Sequence, residues 1–156
     1  DSVYSWKLAQ KGVRLGAMSD LTILRRLSVS DVPLQEPVIV HPEESAQRLL
    51  DLSEEHAASD FVVTDASNQY VGMVCGADLR TALLEREAIP LLLVNELQRS
   101  NLPVVDADET LDTVLDKFAR NDVHSLAVLD HHDQHPIGVI TRDRLMRAYQ
   151  QALERD

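Results

Sequence analysis

Three histidines close together in the last third of the chain are the residues whose spacing most resembles a metal site. His131, His132 and His135 fall within five residues, and Asp130 and Asp133 lie beside them. Imidazole and carboxylate groups are ligands of Zn²⁺ in proteins. The segment is predicted to be a polar turn between two strands, however, and a structural zinc site normally takes ligands from two elements. We therefore predict a solvated loop and no metal site.

Motifs for catalysis do not occur in the sequence. It has no Gly-x-Ser-x-Gly nucleophile turn, no phosphate-binding loop and no Gly-x-Gly-x-x-Gly turn. Cys75 follows a predicted strand next to Gly76; a lone cysteine there is usually a small buried hydrophobic residue, and a reactive thiol is the alternative. Acidic pairs such as Glu43 with Glu44 fall on predicted helix surfaces. We predict that the chain is not an enzyme.

Composition narrows the class of protein further. The 156 residues contain 15 Lys and Arg against 26 Asp and Glu, a formal charge of −11, which repels a phosphate backbone and argues against nucleic-acid partners. The apolar run at residues 89–94 is far shorter than the roughly 20 residues of a membrane span. We expect a soluble piece of a longer protein, because the sequence has no signal peptide and no initiator Met.

The sequence contains an internal repeat. Residues 29–84 and 94–149 follow one plan at an offset of 65 or 66. Each copy has a short turn, a Pro-Val pair, an apolar helix stripe and a strand, then a second strand with glycine near its start (Gly72 or Gly138) and a second helix. In the second copy the first stripe, at i, i+3, i+4 and i+7, consists of Leu111, Val114, Leu115 and Phe118.

Each copy is thus predicted to be a unit of strand, helix, strand, strand, helix. Such a small unit leaves apolar surface that it cannot cover alone, so the two copies should pack on each other. The predicted fold class is α/β (α+β), with two βαββα units about a pseudo-twofold axis. We assign residues 1–28 to a leader, 29–89 to the first domain and 90–156 to the second.

This double plan resembles a tandem CBS-domain pair, the Bateman module. The resemblance rests on residues 58–65 (Ala-Ser-Asp-Phe-Val-Val-Thr-Asp) with 71–74 (Val-Gly-Met-Val), and on residues 124–130 (His-Ser-Leu-Ala-Val-Leu-Asp) with 137–145 (Ile-Gly-Val-Ile-Thr-Arg-Asp-Arg-Leu). Each motif alone is degenerate, but their order occurs twice and covers about 125 residues.

The leader adds a second resemblance. Residues 1–28 hold five Lys and Arg against two Asp, so the remainder is the more acidic part. A basic segment with aromatic residues is typical of the cytoplasmic side of a membrane helix. Residues 3–15 (Val-Tyr-Ser-Trp-Lys-Leu-Ala-Gln-Lys-Gly-Val-Arg-Leu) are similar to the stretch that joins the last membrane helix of CLC-type chloride channels and transporters to a cytosolic CBS pair. A surface helix of a soluble CBS protein is the alternative.

The CBS resemblance implies an adenosine nucleotide in the cleft between the copies, with a Ser/Thr-x-x-Asp run as the ribose contact. Residues 75–78 (Cys-Gly-Ala-Asp) keep the aspartate but lack the hydroxyl; residues 141–144 (Thr-Arg-Asp-Arg) keep the hydroxyl but have arginine last. Guanidinium groups bind phosphates, although surface arginines and a dipole-complementing aspartate are the plainer interpretations. The candidate nucleotide-binding residues are Asp78, Thr141, Arg142, Arg144, His41, Val62 and Ala127.

The resemblance implies a regulatory CBS pair on the cytoplasmic side of the cell membrane, attached to the transmembrane domain of a CLC-type chloride channel or proton-coupled transporter. It would modulate gating through homodimerisation and binding of ATP, ADP or AMP, with no required cofactor. The alternative is a CBS-pair nucleotide sensor of a soluble or magnesium-transporter-type parent. We expect the homodimer to use the helix stripes at Leu79, Leu83, Leu145 and Tyr149.

Overall fold

The computed structural model describes residues 21–155, which form two units of one design. Each unit has a three-stranded sheet and two helices in the predicted order. Residues 21–26 are helical and precede the first unit. Most of the proposed leader, residues 1–20, lies outside the described residues. Across residues 21–155, we find no helix that combines the length and the apolar character needed to span a bilayer.

Unit 1 contains the strands β1 (Ile39–Val40), β2 (Phe61–Thr64) and β3 (Tyr70–Val74) and the helices α1 (Ala46–His56) and α2 (Gly76–Leu83). The central strand β2 pairs in parallel with β1 and antiparallel with β3. A 3-10 helix, Val29–Asp31, precedes this unit, and a second one, Arg86–Leu91, follows it.

Unit 2 begins after a short helix α3 (Val94–Leu97) and repeats the same topology. Its strands are β4 (Val105–Asp106), β5 (Ser125–Leu129) and β6 (Pro136–Thr141), and its helices are α4 (Leu111–Asn121) and α5 (Arg142–Arg155). The central strand β5 again pairs in parallel with β4 and antiparallel with β6. The predicted stripe of α4 is confirmed, since Leu111, Val114 and Phe118 are fully buried.

The repeat extends to backbone conformation at positions where the side chains differ. Ala57 and Asp122 end α1 and α4 in the left-handed region, with φ of 52° and 45°. Asn68 and Gln134, in the two hairpins, have φ of 62° and 64°. This region costs a non-glycine residue roughly 1–2 kcal/mol, so the surrounding packing must impose it. The two chain paths therefore match more closely than the two sequences.

The segment that opens each unit packs on the other unit. Val29 N donates to Glu109 O (3.0 Å), and Gln35 exchanges two backbone hydrogen bonds of 2.9 Å with Val139 on β6. The side chains of Ile23, Leu24, Val29 and Val32 belong to a hydrophobic core that consists mainly of unit 2 residues and extends to Val62 and Met73 of unit 1. Residues 23–35 thus cover unit 2 rather than unit 1.

The reciprocal contact joins the segment before unit 2 to unit 1. Val94 N donates to Glu44 O (2.8 Å), and Arg99 exchanges backbone hydrogen bonds of 2.7 and 3.1 Å with Met73 on β3. Val94 is fully buried in the core of unit 1. The two units therefore exchange their opening segments about the pseudo-twofold axis, a feature that the sequence pattern did not predict.

Glycine stands where each exchanged segment approaches its strand. A Cβ atom at Gly72 would lie 2.6 Å from the backbone oxygen of Arg99, and one at Gly138 would lie 2.9 Å from the Leu34 side chain. Contacts this short are excluded for real side chains. The glycines near the start of β3 and β6 thus leave room for the exchanged backbone.

Burial corrects one expectation about the helix stripes. Leu79, Leu145 and Tyr149 are buried within the monomer's own cores, and Leu83 is half-buried. The expectation that the three buried side chains pair two copies is therefore wrong, because folding of a single copy already covers them. Among residues 21–155, the most exposed leucines are Leu84 (85%), just before the 3-10 helix that follows α2, and Leu91 (80%), at the end of that helix.

Candidate ligand-binding clefts

Two clefts open where the units meet, one at the N-terminus of each unit's last helix. The cleft at α2 has a volume of about 440 Å³ and the cleft at α5 about 350 Å³. We call them the α2 cleft and the α5 cleft. Residues of both units line each of them, and Ser59 and Asp60 before β2 and His124 before β5 line both. Each cleft is therefore sensitive to how the units lie against each other.

Beside the α2 cleft, Asp78 is already bound by Arg99, a side chain that lines the cleft. Arg99 donates to its carboxylate from Nε (2.7 Å) and Nη2 (3.0 Å), a bidentate ion pair. The hydrogen bonds that Arg99 donates to Asp78 hold the pKa of Arg99 above its ordinary value, so the guanidinium stays charged. The carboxylate that we assigned to a ribose contact thus has a competing internal partner.

Asp60 fills the helix N-terminus in the same cleft. Its Oδ1 accepts from the backbone N–H of Gly76 (2.7 Å), and its Oδ2 accepts from Ser125 Oγ (2.5 Å) across the contact between units. Helix N-termini attract anions, and a carboxylate satisfies that preference as a phosphate would. A Cβ at Gly76 would lie 2.8 Å from Ser59 O, so this approach also depends on glycine.

Cys75 is a buried thiol at the edge of the α2 cleft. Burial raises its pKa to about 11; Asp60 and Asp78 act in the same direction, and Arg99 opposes them. The neutral thiol therefore persists far above physiological pH. Thiolate is the nucleophilic form of cysteine, so this environment disfavours the reactive-thiol alternative.

The α5 cleft has a different set of polar groups. Thr141 caps the helix, because its Oγ1 accepts from Arg144 N (3.1 Å). The Arg142 side chain donates from Nη2 to Phe118 O (2.9 Å), with its guanidinium carbon 5.7 Å from the centre of the Phe118 ring. Arg142 is thus held against α4, and its N–H groups are partly used by the protein.

Two further arginines lie one turn apart on α5 in this cleft. Arg144 donates from Nη1 to Pro33 O (2.9 Å). Arg147 is exposed and has no hydrogen bond or ion pair with residues 21–155. A groove of about 680 Å³ next to the cleft shares Gln35 and Arg144 with it. Apolar residues at 37–39 and 57–58 line this groove together with the polar residues Glu36 and His56.

The other predicted ligand residues lie away from these clefts. Val62 and Ala127 are fully buried in the core between the units. His41 follows β1, and its Nδ1 lies 2.9 Å from Thr64 O. None of the three lines the α2 cleft or the α5 cleft. The structure brings Thr141, Arg142 and Arg144 together in the α5 cleft, and it places Asp78 in the first turn of α2, where it binds Arg99, a residue that lines the α2 cleft.

Sequence reasoning did not identify Asp60, Arg99 or Arg147 as cleft residues. Asp60 and Arg99 reach their partners through contacts that span 65 and 21 residues, which no local pattern reports. Arg147 follows Arg144 by three residues and shares its helix face, so helical spacing could have indicated it.

The repeat is also that of a known family. A family model described as "CBS domain" matches residues 29–85 and 94–151. The chain belongs to the CBS-domain family. CBS domains are regulatory modules, and the exchange of opening segments described above is how this CBS pair closes its two cores. A search of curated proteins gave no match.

Several solved CBS pairs share the fold. The pair of protein MJ0100, in complex with 5′-methylthioadenosine and S-adenosyl-L-methionine, is 18% identical, with 80% of this chain and 96% of that chain covered and a TM-score of 0.68. The CBS domain of a bacterial CNNM/CorC family Mg²⁺ transporter is 21% identical (85% and 80% covered, TM-score 0.67). CBSX2 in complex with AMP is 24% identical (80% and 97% covered, TM-score 0.65).

Proposed function

We propose that this CBS pair is a regulatory module that binds a phosphorylated adenosine ligand, such as AMP, ADP or ATP, in the α5 cleft. The observation that carries the proposal is the difference between the clefts. At the α2 cleft, the helix N-terminus is bound by Asp60, and the neighbouring Asp78 is bound by Arg99. In the α5 cleft, Arg147 has no partner within residues 21–155, and three arginines line the cleft against two aspartates. The α2 cleft has two of each: Arg80 is also unpaired within those residues, and Arg99 is bound to Asp78.

The α5 cleft suits the phosphates of such a ligand. The N-terminus of a helix attracts anions, and guanidinium groups bind phosphate oxygens in a bidentate manner. Arg147 would provide the main contact, and Arg144 retains N–H groups beyond the one that donates to Pro33. The Thr141 hydroxyl accepts from Arg144 N, which leaves its own hydrogen available to a ribose or phosphate oxygen.

The adjoining groove suits the base. Its floor includes Val38, Ile39 and Ala58, which are apolar and partly exposed. Adenine is a flat apolar ring with polar edges, and pockets for such ligands are mainly apolar with a few polar groups. Complexes of the related pairs with AMP, and with 5′-methylthioadenosine and S-adenosyl-L-methionine, support adenosine as the common part of the ligand.

The role of this binding would be regulation without catalysis. Gln35 and Ser59 come from the unit 1 side of the α5 cleft, and His124 and Thr141 come from unit 2. A ligand that contacts both units favours the arrangement it fits best, and it changes activity elsewhere only if two arrangements bind it unequally. The ligand would thus bias the relative position of the units.

Isothermal titration calorimetry with AMP, ADP and ATP tests the proposal. We expect one binding event, and Arg147→Ala should weaken it at least about tenfold, since a charge-assisted hydrogen bond contributes roughly 1.5–3 kcal/mol. Arg120→Ala removes an exposed arginine from α4 and should leave the affinity unchanged. Asp78→Asn separates the clefts, because it should weaken binding only if the ligand lies in the α2 cleft. No heat for any of the three nucleotides at millimolar concentration would refute the proposal.

We further propose that the parent protein is a CLC-type chloride channel or proton-coupled transporter, with this module on the cytoplasmic side as a homodimer. Support comes from the similarity of residues 3–15 to the segment that follows the last CLC membrane helix. The relative from a CNNM/CorC family Mg²⁺ transporter favours the second candidate, a magnesium-transporter-type parent. Chloride and Mg²⁺ flux of the full-length protein in liposomes distinguishes them, and analytical ultracentrifugation of the module measures pairing.

A further inference from the structure

Asp106, Asp108 and His131 bring three metal-ligand groups to one place in unit 2, away from both clefts. Asp106 ends β4, Asp108 lies in the turn before α4, and His131 lies in the hairpin between β5 and β6. The three ligand atoms all lie within 4.8 Å of one another. In the sequence, the acidic residues nearest to the histidines are those of the same loop. In the structure, the carboxylates near His131 come from a second segment, residues 106–108.

The imidazole and Asp106 form a direct hydrogen bond, and the three ligand atoms lie close to the spacing that they would have around one small cation. His131 Nδ1 lies 3.0 Å from Asp106 Oδ2 and 3.8 Å from Asp108 Oδ2. Metal–ligand bonds of about 2.0–2.2 Å in a tetrahedron place neighbouring ligand atoms roughly 3.3–3.6 Å apart. The observed separations lie on either side of this range, so small side-chain rotations would suffice to form the shell.

Neighbouring groups hold Asp106 and His131 in position, whereas the Asp108 carboxylate is exposed. Asp106 Oδ1 accepts from Asp108 N (2.8 Å), which leaves Oδ2 directed at the imidazole. The His132 ring packs edge-on against His131, with the centres 5.3 Å apart. Asp130 fixes the hairpin backbone by accepting from the N–H groups of His132 and Asp133 at 2.9 and 3.1 Å.

The repeat provides an internal comparison. The equivalent positions in unit 1 are His41, Glu43 and Ala66, so no imidazole faces the end of β1 from the hairpin. His41 Nδ1 is instead 2.9 Å from the backbone oxygen of Thr64. The same fold therefore forms without this set of ligands. The triad is a feature of unit 2 that the βαββα design does not require.

We propose that Asp106, Asp108 and His131 bind a divalent first-row transition metal such as Zn²⁺, with water completing the shell. One imidazole and two carboxylates are borderline and hard ligands, which suit Zn²⁺ or Mn²⁺ better than Ca²⁺ or Cu⁺. The ion would bridge the turn before α4 and the β5–β6 hairpin, and so stabilise this end of unit 2.

Titration of chelator-treated protein with ZnCl₂ in a calorimeter tests this site. We expect one equivalent to bind, and His131→Asn and Asp106→Asn each to weaken binding at least tenfold. His56→Asn removes an exposed histidine from the end of α1 and serves as the matched control; it should leave the affinity unchanged. Far-UV circular dichroism without metal checks that each variant is folded.

Proton NMR of the unmutated protein gives a second readout, which does not depend on whether a variant remains folded. Substoichiometric Zn²⁺ should shift the ring resonances of His131 before those of His56. Unchanged Zn²⁺ affinity in both triad variants would overturn the proposal. Weak binding of several equivalents that every histidine variant reduces alike would also overturn it, because that result describes adventitious surface binding.

Discussion

At the α2 cleft, Arg99 interacts with two charged or ionisable neighbours, Asp78 and Cys75. It comes from the exchanged segment, pairs with Asp78 through two hydrogen bonds, and lies close enough to Cys75 to influence its ionisation. Charge-assisted bidentate pairs of this kind resist replacement by a ligand that offers only hydroxyl groups. The residue that binds Asp78 thus belongs to the segment that also covers the core of unit 1.

The thiol of Cys75 should ionise at a higher pH in the folded protein than in the unfolded chain. Burial is the largest cause, and it raises the pKa from 9.0 to about 11. We expect the rate of iodoacetamide alkylation of the native protein to rise until about pH 11, with the midpoint in urea near the ordinary value. The sequence contains a single cysteine, so the adduct mass reports this site alone. A native midpoint at or below the urea midpoint would contradict the assignment.

At the scale of secondary-structure elements, β3 and β6 depend on how closely another segment approaches their backbone. A Cβ atom at Gly72 would meet the backbone carbonyl oxygen of Arg99, whereas a Cβ atom at Gly138 would meet mainly the side chain of Leu34. A side chain can rotate away from a new methyl group, but a hydrogen-bonded backbone oxygen cannot. The two equivalent glycines should therefore differ in their tolerance of substitution.

We expect Gly72→Ala to destabilise the protein more than Gly138→Ala. Overpacking a tight contact costs roughly 1–3 kcal/mol, and Gly72→Ala should fall at the upper end because it also strains the bridge between Met73 and Arg99. Urea denaturation followed by circular dichroism measures both values. Equal losses, or a larger loss for Gly138→Ala, would show that the exchanged segment moves freely.

The sequence predicted those elements whose signal is local. The stripe from Leu111 to Phe118 predicts α4, because helical periodicity alone decides which face is buried. The partner of residues 28–35 was not predictable, since short extended segments pair with whichever sheet edge the whole fold offers. The partners of the cleft residues were not predictable for the same reason. Asp60 and Ser125, for example, form their hydrogen bond only when both units have folded and packed together.

At the scale of the whole molecule, neither unit is complete without the other's opening segment. Val29 lies in the core of unit 2, and Val94, its repeat equivalent, lies in the core of unit 1. Stability is thus shared across the contact between units. Cooperative unfolding of the pair follows, because losing either segment exposes the core of the unit it covers.

Val29→Ala and Val94→Ala test this crossed arrangement. Each deletes buried methyl groups and should cost on the order of 1–3 kcal/mol. In hydrogen-exchange mass spectrometry, Val29→Ala should increase exchange first in β5 and β6, and Val94→Ala first in β2 and β3. If each variant instead loosens the unit that follows it in sequence, the exchange of segments does not occur in solution.

The exchanged segments also bear on how the chain is made. A nascent chain that has emerged only as far as residue 90 contains every strand of unit 1 but not Arg99, which must pair with Met73 on β3. It also contains residues 23–35, but the part of unit 2 on which they pack has not yet been synthesised. The ribosome must therefore deliver the opening segment of the second repeat before the first unit can finish folding, and the second unit in turn needs residues 23–35.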